Sequence, residues 1–397
     1  MNLLENSIKV VEQYLFYATL EESDLRISER EHTFESFIGE LLERGIEPGE
    51  RLRIVCYIAR RGDWKTDSYA FPSLTNALTS SGVEIKELGE IRKLVMHYRD
   101  LQTDRLVPVT YFAFLHRDTS LLMCFTDGAK YDVEQTFDKI IERTSGLYFA
   151  FIGPSTIKKI QDMLFQIHPT TLITYFSAYR HFKSSLRSEI RPEYQRTIEY
   201  RGNDGAKVLE ELKLAYGVLP RTIHFETPDF ATYHIHNVGH FTLAKGEENA
   251  RRFMLEIVDL AMKDVLITRK IVESADFELI PMETQTKTFL FPKLKPWLIR
   301  FSTEIDVEEG QNLIDILEDN EFEVFSHVLA KGSLRLNGLV ADRLKKNIFT
   351  VDANSERMVI APLKEVPFDS FLRLYQVVVE NFDPNAECQF FEQERKG

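Results

Sequence analysis

The sequence predicts an α+β protein in which antiparallel sheets are covered on one side by helices. Three observations carry that expectation. Short aromatic runs such as "YFAF" and "LYFAF" draw on 29 Phe and 15 Tyr, and such rings pack well on a pleated surface. Turn-type spacers separate neighbouring apolar runs, which selects antiparallel hairpins. An order of strand, helix, antiparallel strands, helix then recurs, and each helix must bury its apolar stripe against a sheet.

Taken in order, residues 1–50 read as helical. "SIKVVEQYLFYATL" and "TFESFIGELLERG" space apolar residues three and four apart, and Gly45 and Pro48 stop the second run. "RLRIVCYIARRG" (51–62) is a strand, and "VEIKELGEIRKLVMHYRDL" (83–101) reads as a helix. "VTYFAFLH" and "LLMCFT" form a hairpin across "RDTS", and "YDVEQTFDKIIERTSG" (131–146) is a helix with Asp132 and Gln135 in capping-box positions. "LYFAFIGP", "STIKKIQDMLFQI" and "TTLITYFSAYR" give strand, helix, strand.

The order repeats more fully further on. "QRTIEYRG" (195–202) leads into the helix "DGAKVLEELKLAYG" (204–217), whose Val208, Leu212 and Ala215 share a face. Three strands within 221–246 and a helix at 247–265 follow. "PWLIRFSTE", "VEEGQNLIDILEDN", strands within 322–363 and the helix 367–382 repeat the pattern. With 397 residues the chain exceeds one average domain. The expected division is a helical segment at 1–50 and α+β modules at 51–180 (with an extra βαβ), 195–273 and 286–397. "SADFELIPMETQ" (274–285) is the expected linker.

The order over 195–265, ending in "HFTLAKGEENARRFMLEIVDLAMK", resembles one half of the TATA-binding protein fold: strand, helix, several antiparallel strands, long helix. The resemblance is one of element order and recurs less fully at 296–382. It implies modules with helices on one sheet face. That fold grips DNA with paired phenylalanines wedged between bases, and no phenylalanines here are assigned that part.

Charge is unevenly spread. The net of −13 divides into −8 over residues 1–50, +4 over 51–300 and −9 over 301–397. Acidic ends argue against broad adhesion to nucleic acid, because phosphate binding needs a basic footprint. Any footprint must be local and central. Cys56, Cys124 and Cys388 are far apart, without a CxxC, which suits a reducing cytosol. The first residues carry acids where a signal peptide carries bases, and no apolar run approaches the ~20 residues of a membrane span.

Two stretches stand out chemically. In "TPDFATYHIHNVGHFTLAKGEENARRF" (227–253), His234, His236 and His240 fall within seven residues, with His224 just before. Alternation places Ile223, Phe225, Tyr233, Ile235, Phe241 and Leu243 on one face and the four histidines with Glu226 on the other. His-x-His with a third imidazole from a neighbouring strand is a spacing that zinc takes. A sheet face that is wet or covered by a partner has the same pattern. The second stretch, "YRHFKSSLRSEIRPEYQRTIEYR" (179–201), holds six Lys and Arg residues and His181 against three acids, interleaved with Phe182 and three tyrosines. Basic and aromatic side chains together suit phosphate contact and base stacking. Tyr179, Arg180, Phe182, Lys183, Arg187, Arg191 and Arg196 are its candidate nucleic-acid contacts. "RRGDWKTDSYAF" (60–71), with an exposed-looking Trp64, is a weaker patch of the same kind.

No GxxxxGK[ST], GxGxxG or GxSxG occurs, so nucleotide cradles and esterase elbows are unsupported. "HFKSSLRSE" and "TPDFATYHIH" fall short of the phospholipase-D and PD-(D/E)xK patterns. The expectation is a non-enzymatic, cytoplasmic modular binding protein without a cofactor, contacting nucleic acid or a protein partner. The alternative is a zinc-dependent hydrolase centred on His224, His234, His236 and His240.

Overall fold

The computed structural model describes residues 25–43, 50–60, 62–66, 73–180, 197–283, 288–325, 334–363 and 368–391, with Arg180 and residues 276–283 and 288–294 described by their backbone. The chain divides into two compact units, Met1–Ile141 with His240–Met254, and Glu142–Gly239 with Leu255–Gly397. Residues 195–273 contribute to both units, 240–254 to the first and the rest to the second.

Helix α1 (Phe34–Glu43) and strand β1 (Leu52–Ala59) come first. Helix α2 (Leu74–Ser80), strands β2 (Glu84–Leu88), β3 (Ile91–Asp100), β4 (Arg105–Leu115) and β5 (Leu121–Thr126), and helices α3 (Lys130–Gln135) and α4 (Phe137–Arg143) follow. The strands pair antiparallel in the order β2-β3-β4-β5-β1. Every residue of β1 is buried, because "LRIVCYIA" offers apolar side chains to both faces.

The expected helix at 83–101 is instead the β2–β3 hairpin. Its turn holds Gly89 at φ +73°, against the backbone of His32, where a Cβ would lie 2.5 Å from the carbonyl oxygen. Only glycine tolerates both conditions. The helix expected at 131–146 breaks at Thr136 into α3 and α4. Thr136 Oγ1 is bonded to the Asp132 carbonyl at 2.6 Å and to the Tyr111 hydroxyl at 2.6 Å. Asp132 also occupies the third helical position rather than the cap, accepting from the Ala129 amide at 2.6 Å.

Strand β6 (Leu147–Phe149), helix α5 (Pro154–Ile167), strands β7 (Leu172–Arg180) and β8 (Thr197–Arg201), helix α6 (Gly205–Tyr216), strands β9 (Val218–Thr227), β10 (Ala231–His236) and β11 (His240–Gly246), and helix α7 (Glu248–Glu273) form the middle of the chain. Helix α5 starts on Pro154 at a position that needs no amide donor. Leu209, not the Val208–Leu212–Ala215 set, is the buried apolar side chain of α6. Helix α7 continues to Glu273, eight residues past the expected end. β11 pairs with β1.

The last stretch begins with the hairpin β12 (Asp276–Glu283) and β13 (Thr288–Lys295), so the expected linker at 274–285 is largely a strand. Then come β14 (Trp297–Arg300), α8 (Val307–Asp319), β15 (Phe322–Phe325), β16 (Leu336–Asp342), β17 (Asn347–Ala353), β18 (Arg357–Pro362), α9 (Phe368–Val377) with a π-helical turn at Val378–Phe382, and β19 (Glu387–Phe390). α8 opens on a capping box between Asp306 and Glu309. The strand order is β15-β16-β17-β18-β14-β19. A strand, a helix, four antiparallel strands and closing helices, with the first strand beside the last, describes both β14–α9 and β1–α4. Among the described residues, no helix is long and apolar enough to cross a membrane.

Candidate binding face

Strands β10-β9-β7-β8 lie side by side in the second unit. Register places Arg201 of β8 opposite Tyr175 of β7, Tyr175 opposite His224 of β9, and His224 opposite His234 of β10. The side chains follow that register. The Arg201 guanidinium lies 5.6 Å from the Tyr175 ring centre, Tyr175 lies 4.5 Å from His224, and His224 lies 3.6 Å from His234 with planes 13° apart. Strands stand ~4.8 Å apart, so rings on opposed residues come into contact along the sheet. Arg201 is exposed, and Tyr175, His224 and His234 are half-buried.

A bulge makes this row possible. Ile173 pairs with Phe225 and Tyr175 with His224, leaving Thr174 as the extra residue, and its carbonyl accepts from the Gly202 amide at 3.0 Å. Ile173 and Phe176 are both fully buried although three residues apart, which unbroken alternation forbids. Ile223, Phe225, Tyr233 and Ile235 are buried on the other side, as the sequence pattern requires. Burial and the neighbouring Glu199 push the Tyr175 hydroxyl above its ordinary pKa.

His236 lies opposite Thr222, and its Nδ1 accepts from the Val238 amide at 3.3 Å. His240 belongs to the first unit. It is 4% exposed, with Nε2 3.2 Å from Asp138 Oδ1, the oxygen that also accepts from the Tyr57 hydroxyl at 2.8 Å. Residues 240–243 are all buried, so alternation does not separate a wet side of β11. Among the described residues, no three His, Cys, Asp or Glu converge as a metal-holding group.

A second polar cluster stands at the end of β7. Tyr179 is 8% exposed, and the Arg221 guanidinium lies 4.3 Å from its ring centre. Arg221 pairs with Glu380 at 3.4 Å. Glu380, on the π-helical turn, also accepts from Asn237 and, at 2.9 Å, from Gln376, and Gln376 accepts from the Tyr148 hydroxyl at 2.6 Å. π-turns occur often at functional positions. Burial, then the Glu380 carboxylate, pushes the Tyr179 hydroxyl well up. Of the candidate nucleic-acid contacts, Tyr179 is thus covered by Arg221, and Arg180 ends β7. Phe182, Lys183, Arg187, Arg191 and Arg196 lie outside the described residues. Tyr175, Arg201 and Arg221 were not singled out from the sequence. The aromatic run "TYF" was the available signal for Tyr175, and no local signal marks Arg221.

Residues 158–238 match a family model described as a family middle domain. The match begins within α5 and ends just after β10, so it encloses all four strands of the face. The chain is also 26% identical over 220 residues to an uncharacterized protein of Archaeoglobus fulgidus, covering 54% of this chain and 59% of that protein.

Proposed function

We propose that this is a non-enzymatic binding protein that contacts nucleic acid through the β8-β7-β9-β10 face and the adjoining basic-aromatic segment 179–201. The Arg201–Tyr175–His224–His234 row is the observation that carries this reading. It sets an imidazole pair, a phenol ring and an exposed guanidinium in one line across four strands, a grouping suited to phosphate contact and base stacking. In sequence, the segment 181–196 between β7 and β8 carries Lys183, Arg187, Arg191 and Arg196, a local basic stretch of the kind an acidic chain needs for phosphate contact. The shared element order of β1–α4 and β14–α9 supports a repeated-module design like the halves of the TATA-binding protein. Three dispersed free cysteines support a cytoplasmic setting.

Ultraviolet crosslinking of a photoreactive oligonucleotide to the full chain tests this. Crosslinked peptides should map to β7–β10, with Tyr175 among them. Crosslinks confined to other strands, or none at saturating protein, would reject the face.

A further inference from the structure

The first unit holds a cavity of about 780 Å³ that the proposed face does not use. The start of α1, the loop 62–66, the β2–β3 turn and the end of β4 line it. Two backbone approaches fix its outline. A Cβ on Gly62 would lie 1.6 Å from the Arg117 carbonyl oxygen, and one on Gly89 would lie 2.5 Å from that of His32. Neither position takes a side chain without moving the walls. The volume falls within the ~300–1,000 Å³ of small-molecule sites.

Phe34, Trp64 and Phe114 bring aromatic rings to a lining that is otherwise largely polar. Phe34 and Phe114 stack at 4.1 Å. Trp64, exposed-looking in the sequence, is 8% exposed and has the Arg92 guanidinium 5.6 Å from its ring centre. Arg92 is itself only 9% exposed. Its Nη1 donates to the carbonyls of Gly89 and Ile91. Its Nη2 has the half-exposed Glu87 carboxylate 3.5 Å away, and neither Nε nor Nη2 makes a hydrogen bond among the described residues. A buried guanidinium whose Nε–Nη2 edge makes no hydrogen bond among the described residues, and only a long ion pair with a half-exposed carboxylate, has the fork geometry to take an oxyanion. The exposed carboxylates of Glu35 and Asp118 on the rim accept donors from the rest of a ligand.

We infer that this cleft binds a flat aromatic oxyanion bearing hydrogen-bond donors, its ring against Phe34, Phe114 and Trp64 and its oxyanion on Arg92. A nucleoside monophosphate and an aromatic amino acid share that chemistry. The inference does not depend on the nucleic-acid reading.

The chain has two tryptophans, and Trp297 is fully buried, so Trp64→Phe identifies the emission that belongs to the cleft. The full chain is titrated with adenosine monophosphate, L-phenylalanine and inorganic phosphate. One of the first two should change Trp64 emission saturably and bind at least about tenfold tighter than phosphate, because phosphate lacks the ring. Arg92→Lys keeps the charge but loses the fork, and should weaken binding roughly fivefold or more. Glu87→Gln removes the competing carboxylate on an exposed strand and should tighten binding about two- to tenfold. If Arg92→Lys fails to fold, Glu87→Gln decides. No saturation by either aromatic ligand up to ~10 mM, a binding free energy of under about 3 kcal/mol, overturns the inference. Equal affinity for phosphate, or no tightening in Glu87→Gln, overturns it as well.

Discussion

His224 and His234 face each other across β9 and β10 with ring centres 3.6 Å apart and planes 13° from parallel. Such cross-strand pairs contribute roughly 0.2–1 kcal/mol to a sheet. That ceiling separates a stabilising row from a binding one. His224→Ala should lower unfolding free energy by no more than about 1 kcal/mol, while weakening oligonucleotide binding about tenfold, or ~1.4 kcal/mol. Chemical denaturation and fluorescence anisotropy on the same samples give both numbers. Unchanged affinity with the expected small stability loss would leave the row a purely structural device.

The contact of Asp138 with Tyr57 and His240 is buried. Asp138→Ala leaves the fully buried Tyr57 hydroxyl without its acceptor, which should cost about 1–3 kcal/mol. Asp138→Asn keeps an acceptor oxygen and should recover most of that loss. Urea unfolding monitored by circular dichroism measures it. A loss below ~0.5 kcal/mol for the alanine variant would mean that water or another donor replaces the contact.

Gly89→Ala should destabilise the first unit by about 1–3 kcal/mol, since its positive φ and its contact with His32 both resist a Cβ. Gly39, a helical glycine with open space around it, is the control, and alanine there should be neutral to stabilising. Thermal melts compare the two. Equal behaviour would contradict the strained turn.

Acid should loosen the segment 25–33 before the rest. Lys86 and Lys93, through hydrogen bonds and charge, hold the Glu29 carboxyl down from 4.5 to about 2. A lowered folded pKa stabilises above pH 4.5, and that contribution is lost as the pH falls from 4.5 toward 2. Glu29 is half exposed, so the effect is modest and screened by salt. Hydrogen exchange should show amides of 25–33 losing protection across that window in wild type, and no such pH dependence in Glu29→Gln. Identical profiles would show that the pairs do not tether the segment.

Much of the fold was legible because it rests on local signals. The β4–β5 hairpin and the alternation through "TIHFET" and "TYHIH" announce themselves within a few residues. The region 83–101 did not, because its apolar spacing fits either period and the decisive constraint on Gly89 comes from distant His32. Along β9 and β10 the apolar residues Ile223, Phe225, Tyr233 and Ile235 are buried and His224, His234 and His236 are half-buried, as alternation requires. His240 is instead buried, in a stretch of β11 where residues 240–243 are all buried. The row itself was hidden by the bulge at Thr174, which shifts Tyr175 into register with His224. The cleft around Trp64 was hidden because four remote stretches build it.

Salt dependence of single-stranded RNA and DNA binding, wild type against Lys183→Glu with Arg187→Glu, tests the central claim most directly. Binding should fall linearly on a log–log plot with salt, with a slope of about −0.7 per phosphate contacted. The double variant should bind more weakly across all sequences with a slope shallower by about 1.4, because phosphate contacts position without reading. No binding at ~50 mM salt, or equal binding by both proteins, would contradict nucleic acid as the ligand and leave a protein partner in its place.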